Sequence, residues 1–164
     1  MDATLGVTSG AGGYFFARQG VAAHGTLSVL VPLSRSGGVL VGGAVDVLGD
    51  FASGDDCPLG RDGSCIPPFP LWSGLSGEIG YRYGLGADWT LDGRLGAGTY
   101  LDEGGDSTRT FGTHGRVDAA WQFLPGVRVL LVGRATVLPE YRGATVTLAS
   151  AGVGLRLGGG VPAR

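Results

Sequence analysis

Lysine and asparagine are missing from this chain, and methionine occurs only as Met1. All 12 basic residues are therefore arginine, and against 14 acids they leave a formal net charge of −2. That balance offers no basic stripe to a phosphate backbone, so nucleic acid is excluded as a partner. Charge of either sign is scarce, at 16% of residues, where a soluble domain usually carries about a quarter. Long apolar runs are missing too. None approaches the ~18 residues that a membrane helix needs, and the greasiest segment, Val127 to Leu138, is broken by Arg128 and Arg134. A helical membrane protein is thereby excluded. Histidine is limited to His24 and His114, and cysteine to Cys57 and Cys65, which leaves few groups for metal binding or catalysis. No leader segment is visible, since Asp2 follows Met1 directly; export would require one, so Met1 is expected to replace a removed signal peptide.

What the chain does have is glycine, at 34 of 164 residues, interleaved with apolar residues in strict alternation. The length suits one domain, 1–164. The clearest stretch is Leu71 to Leu101. Leu75, Ile79, Tyr81, Tyr83 and Leu85 share one parity, and Trp72, Ser76, Glu78 and Arg82 the other. After a turn at Gly84 to Asp88 the pattern resumes, with Trp89, Leu91, Leu95, Ala97 and Leu101 against Thr90, Asp92, Arg94 and Tyr100. Side chains in a strand alternate faces, so this is a β-hairpin with one greasy and one charged side. The charges sit mid-strand. A soluble sheet would bury its greasy face, but a barrel standing in lipid inverts the arrangement, with apolar groups outside and polar groups within.

Six further segments read the same way. Strands are expected over about 3–10, 25–33, 39–48, 113–123, 127–137 and 147–157. Eight strands of nearly the 9–11 residues that a tilted membrane strand requires then account for the chain. The connections after the second, fourth and sixth are short. Those at 11–23, 49–70 and 102–112 are long loops, and 158–164 is a tail. An even strand count lets the last strand pair with the first, leaving no open edge in lipid.

This pattern resembles the small eight-stranded bacterial outer-membrane barrels of the OmpA transmembrane-domain and OmpX kind, most plainly at GEIGYRYGLGADWTLDGRLGAG (77–98) and TLASAGVGLRL (147–157). The resemblance implies an all-β, antiparallel up-and-down transmembrane barrel in the outer membrane, with short periplasmic turns and longer extracellular loops. Tyr81, Tyr83, Trp89, Trp121 and Phe123 then form an aromatic girdle at the interface. One departure is that the last strand ends Leu155-Arg156-Leu157 rather than on an aromatic residue.

The polar parity carries Asp46, Glu78, Asp92 and Asp118 with Arg82, Arg94, Arg116, Arg128, Arg134 and Arg156. These could line an ion path. An eight-stranded barrel is only wide enough for its own side chains, so a lumen filled by ion pairs is the expectation. Cys57 and Cys65 are expected to close a disulfide in the longest loop, given export. The acids of the two long loops (Asp50, Asp55, Asp56, Asp62, Asp102, Glu103, Asp106) lack a Ca²⁺-loop spacing and read as solvated, or as bridged to lipopolysaccharide by divalent ions. No cofactor is implied. Barrel enzymes that cut lipid A use His, Ser and Glu on the membrane-facing surface, and His114 has the inward parity. The function expected is non-enzymatic, a structural or surface-interaction barrel, monomeric, in a lipid and lipopolysaccharide environment, with 11–23, 49–70 and 102–112 free to meet a partner. The alternatives are a soluble calycin-like barrel holding an apolar ligand, and, more weakly, a lipid-modifying enzyme or small pore.

Overall fold

A computed structural model describes residues 2–14, 16–50, 72–102, 109–141 and 144–158. Eight strands account for them: β1 (Asp2–Tyr14), β2 (Phe16–Pro32), β3 (Gly37–Asp50), β4 (Trp72–Gly84), β5 (Trp89–Asp102), β6 (Arg109–Leu124), β7 (Val127–Tyr141) and β8 (Ala144–Gly158). Each pairs antiparallel with the next, and β8 returns to β1 from Asp2↔Gly158 to Gly13↔Thr147, closing the barrel. Closure pairs the edges that would otherwise strand N–H and C=O groups in hydrocarbon.

Three tight connections lie at one end. Ser34 to Ser36 is held by Leu33 and Ser34 N–H bonds to the Gly37 carbonyl, both 3.0 Å. Leu85 to Asp88 contains Gly86 at φ 99°, where a side chain would be strained. Pro125-Gly126, with Gly126 at φ 77°, has the residue order of a type II turn.

The strands run to 13–17 residues, well beyond the ~9–11 needed to cross a bilayer. The excess lies at the end opposite the tight turns, and it corrects two of the expected loops. Residues 11–23 are not a loop. β1 continues to Tyr14 and β2 begins at Phe16, in register through Ala11↔Gln19 and Tyr14↔Phe16. Gly10 to Gly13 offer no apolar side chain larger than that of Ala11 and Tyr14-Phe15-Phe16 breaks the alternation, yet ladder pairing needs only backbone groups. Likewise 102–112 shrinks, because Asp102 ends β5 and β6 starts at Arg109; buried Thr110 and Gly112 flank exposed Phe111, so the alternation runs through them. Gly158 closes β8 by donating its N–H to the Gly126 carbonyl at 3.0 Å. The remainder of the expected 49–70 loop and 158–164 tail lies outside the described residues.

The faces separate cleanly. Leu27, Val41, Leu75, Ile79, Leu95, Val117, Leu131 and Val153 are all exposed on the outer wall. A soluble monomer does not present so continuous an apolar belt. The described arginines of the strand interiors are buried instead. A soluble calycin-like barrel requires the reverse, an apolar interior and a charged exterior, so that alternative is overturned by the orientation of the side chains.

Leu95 is 69% exposed at the middle of β5. Leu95→Arg should lower the folding free energy into vesicles by about 2–4 kcal/mol, the cost of an arginine at the bilayer midplane on a barrel's lipid face. Urea-dependent folding into phosphatidylcholine vesicles measures it, and a parent-like midpoint would mean that Leu95 does not face hydrocarbon.

Candidate functional site

The lumen is where this chain concentrates its chemistry. Inward-facing positions on β3 to β8 contribute buried ionic side chains, and cross-strand register gives several of them room. Arg82 lies opposite Gly38, Arg94 opposite Gly80, His114 opposite Gly96 and Tyr100 opposite Gly74. A Cβ on Gly96 would meet the His114 ring, and one on Gly74 would come within 2.5 Å of the Tyr100 ring. Glycine on one strand is therefore the space into which a long side chain on the next folds over.

Asp92 is the hub. Arg82 grips it with two bonds of 2.9 Å, Nε to Oδ1 and Nη2 to Oδ2. Arg156 Nη2 donates to Oδ2 at 2.7 Å and Arg94 Nη2 at 3.1 Å. Asp118 takes Arg116 Nε at 2.6 Å and Arg156 Nη2 at 3.3 Å. Toward the other end, Arg134 holds Asp46 bidentately, at 2.6 Å for each bond. Planar guanidinium forks suit this two-oxygen grip, which is why arginine serves here.

The two halves are joined. Glu78 accepts from Arg94 Nη1 at 3.3 Å and sits 2.8 Å from His114 Nε2. The His114 Nδ1 lies 3.4 Å from the Tyr100 hydroxyl, which in turn reaches Asp46 at 3.4 Å. One connected path thus runs from Asp46 through Tyr100, His114, Glu78 and Arg94 to Asp92. Arg128 bonds Gln122 at 3.1 Å nearer the turn end.

An apolar cluster caps this polar column at one end. Trp72, Tyr100 and Leu138, packed with Leu48 and Leu148, lie toward the end opposite the tight turns. Ala120, Leu130 and Val132 sit among the ionic residues of the turn half, since Val132 pairs with Asp118 and Arg128 lies closer to the turn. The interior is therefore a run of buried ion pairs under one apolar layer, and it has the form of a filled core rather than of a channel.

All ten ionic residues of the polar parity are buried, and the structure brings them into this column. Tyr81, Tyr83, Trp89, Trp121 and Phe123 are exposed on the outer wall near the tight turns; Trp89 and Trp121 are register partners, and Trp121 meets Phe123 edge-on at 5.9 Å. Cys57 and Cys65 lie outside the described residues, as do the acids at 55, 56, 62, 103 and 106. Among the described residues no group of three metal-ligating side chains occurs. Sequence reasoning gave no role to Tyr100 or Ser28, both part of the network, nor to Leu40, Leu130 and Leu138 inside the barrel. A parity shared with the arginines was the available signal for Tyr100 and Ser28.

No protein-family model matches the chain, and no curated protein matches it in sequence. Solved structures do match. The fold is similar to that of Neisserial surface protein A, with a TM-score of 0.63 at 10% identity over 96% of each chain. It is similar to the outer membrane enzyme PagL, with a TM-score of 0.58 at 12% identity over 96% of this chain and 99% of that one. It is also similar to Ail, the attachment invasion locus protein of Yersinia pestis, with a TM-score of 0.51 at 12% identity over 95% and 97% of the two chains. At these identities the likeness is one of fold. The architecture is that of the small eight-stranded outer-membrane barrels, as the alternation implied.

Proposed function

We propose that this chain is a non-enzymatic barrel of the bacterial outer membrane, whose sealed lumen is a structural core and whose extended strand end is presented at the cell surface. The observation that carries this reading is the buried ion-pair column, into which both of the chain's histidines, His24 and His114, are drawn and buried. One of the three neighbours is an enzyme, so catalysis has to be weighed. An acyl-cutting site on the outer wall would need a base facing lipid, and a buried lumen histidine is out of reach of a lipid ester there. A pore would need a continuous wet path, and the buried arginines and carboxylates fill the column instead, under the apolar layer of Trp72, Tyr100 and Leu138.

Tyr81, Tyr83, Trp89, Trp121 and Phe123 fit the periplasmic interface girdle, and Cys57 with Cys65 fits a disulfide pinning the surface connection between β3 and β4. Lipid and lipopolysaccharide are the surroundings this outer face suits. A surface partner would meet the β1–β2 hairpin tip and the connections at 51–71 and 103–108.

The test places an epitope tag within 103–108 or within 85–88 and stains intact cells, while lipid A is weighed by mass spectrometry and the purified barrel is placed in a planar bilayer. Staining is expected for the first tag alone, with unchanged lipid A masses and no steady conductance. Loss of an acyl chain from lipid A on expression would overturn the non-enzymatic reading. Reproducible single-channel steps would overturn the sealed lumen.

A further inference from the structure

The outer wall is not evenly bulky. On β5, β6 and β7 it carries Gly93, Gly115 and Gly133, on neighbouring strands and within two adjacent cross-strand rows. In one row Val117 pairs with both Gly93 and Gly133; in the next, Gly115 pairs with both Leu95 and Ala135. A Cβ on Gly93 or Gly133 would meet nothing within 4 Å, so no neighbouring atom fills the space those glycines leave. The result is an apolar groove of about 840 Å³ running from Val39 to Ala135, with Ile79, Tyr81 and Leu95 beside the glycines. Small-molecule sites occupy about 300–1,000 Å³, so the groove has the capacity of one.

Its shape is that of a single chain. From β3 to β7 it crosses four strand spacings of about 4.8 Å and is two rows wide, which makes it about 19 Å long and about 7 Å across. It also climbs. Tyr81 stands three residues from Gly84, the turn-side end of β4, and Ala135 eight residues from Val127, the turn-side end of β7. At a strand tilt near 45° that difference is about 12 Å along the membrane normal, against about 15 Å for one leaflet's half of the hydrocarbon core. The low end is held open. A Cβ on Gly37 would overlap the Tyr81 ring, so the ring lies over Gly37 rather than over Gly93, and its hydroxyl stands at the start of β3 beside the tight turns.

In a bilayer such a recess is covered by lipid or by a second barrel. Its footprint of roughly 130 Å² falls far short of the ~800 Å² that each partner of a stable interface buries. Two convex walls, moreover, do not fill a recess only two rows wide. Through the exposed side chains of Ile79, Leu95 and Val117 the groove is instead continuous with the apolar belt that faces hydrocarbon. An unfilled recess forfeits dispersion contacts on one side, and a flexible chain lying in it touches floor and walls at once. That chain is held more closely than its neighbours on the convex wall.

We propose that the groove binds one acyl chain of a phospholipid from the leaflet at the tight-turn end, with the chain along Gly93, Gly115 and Gly133 and the glycerol end beside the Tyr81 hydroxyl. The choice of phospholipid over lipid A rests on the reading that the tight turns face the periplasm; the groove itself does not. Lipid elsewhere on the wall exchanges freely, whereas this molecule travels with the barrel.

The experiment folds the full chain into vesicles of phosphatidylethanolamine and phosphatidylglycerol, extracts it into mild detergent and weighs it by native mass spectrometry. One phospholipid per barrel is expected to persist after the remaining lipid has been stripped. The double variant Gly93→Val, Gly133→Val, which fills the floor, should retain about tenfold less, the loss that follows when about two methylenes are pushed out of contact. No retained lipid on the wild type, or equal retention by the double variant, would overturn the proposal, as would a lipid-free dimer of barrels. Should the double variant fail to fold, the wild-type lipid count decides alone. Retention of lipid A in place of phospholipid, from vesicles that hold both, would overturn the choice of leaflet. Staining of an epitope at 85–88 on intact cells would overturn the periplasmic reading and leave the retained lipid as it is, so the two readings fail separately.

Discussion

Asp92→Ala should destabilise the barrel by about 3–5 kcal/mol, the usual cost of removing one partner of a buried ion pair, and Arg82→Ala, the other half of the same bidentate pair, should cost only about 1.5–3 kcal/mol, the scale of lost charge-assisted bonds. The asymmetry follows from what each deletion leaves behind. Without Asp92, the bonds it takes from Arg82, Arg94 and Arg156 are all lost at once. Among the described residues, six buried arginines then face three buried carboxylates in place of four, and the surplus of positive charge widens from two to three. Without Arg82, Asp92 keeps Arg94 and Arg156, and the surplus narrows to one. Urea unfolding in detergent micelles gives both numbers. The deficit of Asp92→Ala should persist in roughly 1 M salt, because side chains with 0% exposure are scarcely screened. Equal costs for the two variants would show that the pair bond alone matters and that the net charge of the lumen does not.

The inward and outward sets were legible in the sequence because period-two alternation is enforced by the pleat, and a charged residue mid-strand leaves no doubt about which face avoids lipid. Who meets whom across the lumen was not legible. Arg134 and Asp46 are 88 residues apart, and Arg94 reaches Ser28 from 66 residues away. Barrel closure and the stagger of strands decide such meetings, and neither leaves a local mark. Bonds between same-face neighbours two residues apart, such as Arg116 with Asp118, are the exception, since parity alone predicts that they adjoin. The apolar residues inside the barrel were hidden for another reason. In Val129-Leu130-Leu131-Val132 both parities are greasy, so the run cannot show that Leu130 and Val132 point inward while Leu131 points out. Strand extension into 11–23 was missed because glycine and serine stretches look like loops in composition, whereas the ladder that holds them is made of backbone.

Glycine itself provides the sharper test of the fold, because β5 places Gly93 on its outer face and Gly98 on its inner face. A Cβ on Gly98 would meet the Leu75 carbonyl oxygen and come within 2.5 Å of Ser76 Cα and 2.6 Å of Ser76 Cβ. Two of those atoms are backbone and cannot rotate away. The same crowding recurs at Gly42 against Leu27 and Ser28. Both glycines face a serine across the ladder, Gly98 with Ser76 and Gly42 with Ser28. In a narrow barrel the curled sheet presses its inner faces together, so small residues are needed there. At Gly93, and likewise at Gly77 and Gly133, an added Cβ would meet nothing within 4 Å. Steric demand for glycine therefore falls on the inward positions and not on these outward ones. Gly98→Val should therefore cost about 3 kcal/mol, the upper range for overpacking, since backbone must move to admit it. Gly93→Val should be within about 0.5 kcal/mol of the parent or slightly stabilising, because a β-branched residue on an open strand face gains propensity and loses less chain entropy than glycine. Gel mobility of unheated samples reports the folded fraction, and urea midpoints give the energies. Equal tolerance at the two positions would mean that the β4–β5 seam is held further open than the crowding at Gly98 requires.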